Sequence, residues 1–179
     1  PPRPGPGPRE CVQRCPRHGP KTIAAVCYGH DVDAGIVECG EMPDPEPAPG
    51  EVCVRIMTYG VNPSDWKRRQ GLTNLIDFPR VIPNQDGAGV VEAVGSGEDR
   101  ARVGARVGLF EFHFRRRCGT GAEYTAQPGG HAVRLPDNTD FTAAAGLGVP
   151  AMTAHRCVFS DGPVTGKTVL VPGGAGAVR

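Results

Sequence analysis

Between residues 22 and 135, about seven short strand-like runs recur at intervals of roughly 8 to 20 residues, a spacing that favours a barrel or a sandwich. TIAAVCY (22–28) is apolar on both faces and reads as a buried strand, and GIVECG (35–40) follows after a turn-rich gap. MPDPEPAPGE (42–51) is punctuated by prolines, which have no N–H to give to a ladder, so it predicts a connector and not a central strand. VCVRIMTYGV (52–61) alternates cleanly. Val52, Val54, Ile56 and Thr58 share one face and Cys53, Arg55, Met57 and Tyr59 the other, as in a half-buried strand. GAGVVEAVG (87–95), RVGLF (106–110), AEYTAQ (122–127) and HAVRL (131–135) complete the set. The glycines bracketing the first of these suggest bulges or close backbone approach.

Helical signals sit beside these strands. In NPSDWKRRQG (62–71), Pro63 breaks the preceding strand, Asn62 or Ser64 can cap a short helix, and Gly71 ends it. After residue 137 the texture changes. Thr139 or Asp140 can cap a short helix through Ala143, Ala144 and Ala145, and Pro150 stands where proline is favoured, at the first helical position. Met152, His155 and Phe159 then fall on one face of a helix that Gly162 and Pro163 stop. TVLVP (168–172) predicts a short strand, and GGAGAVR (173–179) a glycine-rich turn. Gly174, Gly176 and position 179 occupy a G-x-G-x-x-G frame, with Arg179 in place of the third glycine. In that motif the first glycine permits the tight turn and the second lets backbone N–H groups approach a pyrophosphate. The third lets the following helix pack on the strand. By pattern alone, the segment fits a nucleotide-binding turn or a glycine-rich hairpin turn.

Composition narrows the function classes. Residues 1–20, PPRPGPGPRECVQRCPRHGP, hold seven prolines and read as a disordered or polyproline-like tail, either a nonfunctional extension or an SH3-type ligand or basic arm. The tail has no apolar h-region, so it is not a signal peptide, and no run of 18 apolar residues occurs anywhere in the chain. Twenty Lys and Arg against 19 Asp and Glu leave a net charge of +1, which argues against a global nucleic-acid footprint. Seven cysteines, an odd number without C-x-x-C spacing, argue against a disulfide framework, and Cys27 and Cys53 read as small core hydrophobes. His113 and Cys118 have Arg115, Arg116 and Arg117 between them, cations that oppose metal binding, and no metal site is expected. The missing initiating Met and the stop inside a glycine-rich turn suggest a piece of something longer.

Six blocks occur in one order: GEVCVRIMTYGVNPSDWKRRQG, IPNQDGAGVVEAVGSG, RVGARVGLF, GAEYTAQP, LGVPAMTAHRCVF and KTVLVPGGAGAV. Over about residues 21–178 this chain resembles the zinc-free quinone oxidoreductases, the zeta-crystallin-like group of the medium-chain dehydrogenase/reductase superfamily. The resemblance implies a mainly β fold with short helices. A GroES-like barrel catalytic domain would span 21–145. Residues 146–179 would form a bridging helix, a first strand and a Gly-rich turn, the truncated start of a Rossmann α/β domain, with 1–20 as a tail outside it.

The same resemblance implies NADPH as cofactor and hydride transfer to a quinone or an α,β-unsaturated carbonyl, the cofactor supplying the hydride and the protein positioning it. No residue is thereby assigned a catalytic role. In zinc-dependent relatives a cysteine follows the Gly-Val pair and a His–Glu pair opens the later glycine-rich block. Here Asn62, and Gln85 with Asp86, stand there, and side-chain amides are not normal zinc ligands. The four-cysteine structural zinc lobe of those relatives has no counterpart. Implied cofactor contacts are Asn62, Lys67, Thr153 and the turn Gly174, Ala175, Gly176, Ala177 and Val178. Asn62 also fits plain turn chemistry, and Thr153 a helix-packing hydroxyl. Lys67 stands where the family often has a tyrosine, so it keeps reach to a phosphate but loses an aromatic contact. Ser64, at the relay hydroxyl position of the zinc enzymes, reads as a helix cap. The expected partner is a small quinone or enone, with no nucleic acid and no membrane, in a cytoplasmic protein whose longer parent forms a homodimer. One strand cannot build a Rossmann crevice, so the 179-residue chain is expected to be weak or inactive. The alternative is a non-catalytic binding or interaction module derived from the same fold.

Overall fold

The computed structural model describes the backbone of 22–29 and residues 37–72, 78–111, 116–174, 176 and 178. The readings of the proline-rich tail and of His113, Arg115, Ala175, Ala177 and Arg179 lie outside these.

Among the described residues, eight strands and three α-helices follow in order: β1 Thr22–Gly29, β2 Glu38–Pro43, β3 Glu51–Gly60, α1 Pro63–Arg69, β4 Arg80–Val81, β5 Asp86–Val94, β6 Arg106–Leu109, β7 Tyr124–Pro128, β8 Ala132–Arg134, α2 Phe141–Ala145 and α3 Val149–Phe159. Every ladder between these strands is antiparallel. They form a three-stranded sheet, β2-β1-β4, and a five-stranded sheet, β7-β3-β5-β6-β8. The architecture is mainly β with short helices, as the spacing of the runs predicts. β4 is two residues long and carries no periodicity to read.

β2 lies nearer the proline connector than its sequence suggests. It pairs with β1 from Thr22↔Pro43 to Cys27↔Glu38, and Pro43 is tolerated because β2 is an edge strand.

β3 is the central beam. Val52 and Val54 are fully buried and pack with Val91, Val107, Leu109 and Ala132, flanked by Ile56 and Val94. On its other face Met57 and Tyr59 are exposed while Cys53 is buried. The β3–β5 register shifts between Cys53 and Val54 and again between Ile56 and Thr58, irregularities that bend a strand. At Gly89 the two backbones come so close that a Cβ would strike the Arg55 carbonyl, which is the close approach the glycines of 87–95 suggest. A separate cluster of Ala88, Ala144 and Ala145 with Leu135 and Phe141 seats α2 on β5.

One C-terminal expectation needs correction. Residues 168–172 form no strand, and Val169, Leu170 and Val171 are 48%, 88% and 51% exposed. An extended segment becomes a strand only when a neighbour takes up its backbone groups, and no described strand runs beside this one. α3 forms where the spacing of Met152, His155 and Phe159 predicts a helix. No residue of that helix is buried, and the His155 ring rests tilted against Phe159 at 4.8 Å.

Candidate functional site

The site begins where β3 stops. Pro63 cannot continue the ladder, so the chain turns at Asn62, which is extended (φ −108°, ψ 158°) and forms the N-cap of α1. The Asp65 carboxylate accepts the Asn62 backbone N–H at 2.7 Å, the reciprocal arm of a capping box. The Asn62 side chain turns inward, where its Nδ2 donates to Asp86 Oδ2 at 2.7 Å. Ser64, expected as a cap, instead accepts from Gln85 Nε2 at 3.1 Å, because Asn62 already holds the cap position.

Asp86 opens β5 and is fully buried. Its carboxylate also accepts the Val149 N–H, at 2.8 Å to Oδ2 and 3.0 Å to Oδ1. Its backbone carbonyl accepts the Thr120 hydroxyl at 2.7 Å, and Asn84 Nδ2 donates to the Gly60 carbonyl at 3.0 Å. These bonds tie the end of β3, the start of β5 and the start of α3 into one buried polar knot.

Beside the knot lies a cleft of about 280 Å³. It is lined by Tyr59, Val61 and Asn62 around the end of β3, by Thr142 and Ala145 of α2 and by Pro150 of α3. This volume sits at the low end of the ~300–1,000 Å³ usual for small-molecule sites.

Burial shapes the charges. Asp65 is pushed up to about 6 chiefly by burial, with the nearby Asp86 charge adding to it and the Asn62 N–H opposing. Asp86 is raised by burial, opposed by the Asn62 amide and the Val149 N–H. Burial pushes the Cys53 thiol up to about 11, so it is a packing group and not a nucleophile. Arg116, from the arginine triplet, pairs with Glu51 at 2.8 Å.

The sequence-derived contacts divide. Asn62 lines the cleft. Thr153, one turn into α3, is exposed and donates its hydroxyl to the Val149 carbonyl at 2.6 Å. Lys67 is exposed on α1, its Nζ 5.8 Å from the Trp66 ring centroid. Gly174, Gly176 and Val178 are exposed and do not line the cleft, while Ala175 and Ala177 lie outside the described residues. No sequence motif marks Asp65, Thr142 or the carboxylate of Asp86 as site groups. The N-P-S-D spacing carried a signal for Asp65 as a capping partner. Asp86 and Val149 meet across 63 residues, for which no local pattern exists.

The donor set at Asn62, Gln85 and Asp86 does not fit a zinc ion. Each amide already donates to a neighbour, and the carboxylate is occupied by N–H groups. Among the described residues no three His, Cys, Asp or Glu side chains gather to hold a metal. No described helix is long and apolar enough to cross a membrane.

Residues 48–158 match the family described as alcohol dehydrogenase GroES-like domain. Over 142 residues the chain is 38% identical to a zinc-type alcohol dehydrogenase-like protein of Schizosaccharomyces pombe, covering 79% of this chain and 43% of that one. Over 139 residues it is 35% identical to the NADPH-dependent alkenal/one oxidoreductase, chloroplastic, of Arabidopsis thaliana, covering 75% and 36%. The solved structure of a mycobacterial quinone oxidoreductase superposes with a TM-score of 0.74 at 30% identity, covering 87% of this chain and 47% of that one. The chain therefore spans less than half the length of these relatives.

Proposed function

The chain belongs to the alcohol dehydrogenase GroES-like domain family, and from that premise we propose that it forms the substrate-side part of an NADPH-dependent, zinc-independent reductase of quinones or α,β-unsaturated carbonyls. The resemblance to quinone oxidoreductases read in the sequence is borne out by the matched domain and by the quinone and alkenal/one oxidoreductases it resembles. What carries the proposal is the Asn62 amide, held by Asp86 in the wall of a neutral cleft, at the place where zinc-dependent relatives have their cysteine ligand.

When bound, NADPH supplies the hydride. The chain's own residues bind and orient. Asn62 has a second Nδ2 hydrogen beyond the one given to Asp86, and it is the cleft's amide donor toward a carbonyl or carboxamide oxygen. Thr58, Tyr59 and Thr142 add hydroxyls, while Val61, Ala145 and Pro150 offer an apolar surface to a flat conjugated ring and exclude water. Lys67 and Thr153 lie on the elements flanking the cleft and would meet the more distant parts of the cofactor. The residues present fit the nicotinamide side better than the pyrophosphate side. A Rossmann crevice needs adjacent parallel strands, and residues 168–172 have no strand beside them among the described residues.

Weak but localised cofactor binding is expected. Titration with NADPH should perturb the Asn62 side-chain amide and quench Trp66 with a Kd weaker than about 100 µM, near −5.5 kcal/mol. Turnover of a simple quinone or enone by this chain should be slight. No response at Asn62 at millimolar NADPH would sink the proposal, and stoichiometric zinc in the purified protein would overturn its zinc-independent part.

A second reading, a non-catalytic interaction module, is favoured by the exposed apolar side chains of α3 and of 169–171.

A further inference from the structure

One fully buried carboxylate ties together two elements that line the cleft. Asp86 Oδ2 accepts Asn62 Nδ2 at 2.7 Å on one side and the Val149 N–H at 2.8 Å on the other. α3 begins after Gly148, which has no side chain to cap the helix, and a Cβ there would collide with Asp86 Oδ1. The first N–H of α3 thus takes its acceptor from β5, and the carboxylate sits at the positive end of that helix. The next residue, Pro150, lines the same cleft as Asn62.

We propose that Asp86 is the positioning residue of the cleft: by holding the Asn62 amide and the first N–H of α3 on one buried carboxylate, it sets the direction of the amide and the position of the first turn of α3 together. The assignment rests on the cleft being the reductase site. The elements around Asp86 present Asn62, Gly60, Thr120, Gly148 and Val149, all uncharged. The ionisable group whose charge interacts with it is Asp65 on α1. Charge-assisted bonds weaken when a carboxylate takes a proton. Acidification should therefore loosen Asn62 and Val149 in one step, above the ordinary aspartate range because burial raises Asp86.

Heteronuclear NMR of the whole chain from about pH 4 to pH 8 tests this. In wild type and in Asp65→Asn, which removes the second titrating carboxyl, the Asn62 side-chain amide and the Val149 backbone amide should move with one common midpoint. The apparent NADPH affinity should fall severalfold below that midpoint. Asp86→Asn should abolish the shared titration and speed Val149 amide exchange at least tenfold. Different midpoints for the two amides, or Val149 exchange within twofold of wild type in Asp86→Asn, would overturn the assignment. The wild-type and Asp65→Asn titrations decide it even if Asp86→Asn does not fold. A shared midpoint without any NADPH response at Asn62 would leave Asp86 as the pin and sink the reductase reading. An NADPH response with unlinked amides would do the reverse.

Discussion

Asp65 shows how burial turns a capping residue into a pH sensor. Its carboxyl is raised from 3.8 to about 6, so between those values the folded state holds a proton that the unfolded state has released. Stability contributed by this group is therefore present below about pH 4 and is lost as pH rises through about 6. The loss is about 3 kcal/mol, at about 1.4 kcal/mol per pKa unit. Asp65→Asn should remove that slope, so the stability of the variant relative to wild type should climb by up to that amount between pH 4 and pH 7 in urea titrations. A flat difference would refute the assignment of the raised carboxyl to Asp65. Gly148 makes a second residue-scale case. Gly148→Ala would press a methyl into Asp86 Oδ1, and overpacking of this kind costs ~1–3 kcal/mol. Urea unfolding should show the loss, and an unchanged midpoint would mean that α3 moves away without cost.

At the scale of elements, stability is concentrated in the β3–β5–β6 sheet and thins toward the C-terminus. Leu109 is 1% exposed in the main cluster, so Leu109→Ala should destabilise by ~2–5 kcal/mol, read from the shift in chemical denaturation. α2 is a lesser contributor. Its cap is Asp140, whose Oδ1 accepts the Ala143 N–H at 2.7 Å, and Asp140→Ala should cost about 1 kcal/mol by the same measurement. The two effects should add, because the cap is exposed and lies outside the Leu109 cluster. α3 has no buried residue, and the Asp86–Val149 hydrogen bond ties its first turn to β5. Its amides should exchange faster than those of β3 and β5 in hydrogen-exchange experiments.

For the whole molecule, the cleft and the C-terminal segment differ in completeness. The cleft draws its lining from β3, α2 and α3, whereas the segment leading into the glycine turn exposes Val169, Leu170 and Val171 with no described strand beside it. Exposed apolar surface joined to unpaired backbone favours association. Light scattering should show concentration-dependent self-association of this chain, reduced by Leu170→Asp. A clean monomer across the concentration range would count against the apolar segment as an adhesive surface.

The sequence by itself determined most of the strands, where α1 and α2 begin, and the family. Alternation, prolines and capping residues act within a few positions of one another, and the motif blocks of the family are collinear. Val52 and Val54 face the core because alternation demands it, and Asn62 lies at the cleft because Pro63 stops β3 there. Tertiary structure alone decided the fate of residues 168–172, whose β-branched side chains favour a strand but whose backbone finds no neighbour. It also decided that Asp86 caps a helix 63 residues away and that Asp65 is buried beside it. Burial and long-range hydrogen bonds depend on which segments the chain brings together, and no spacing along the sequence encodes that distance.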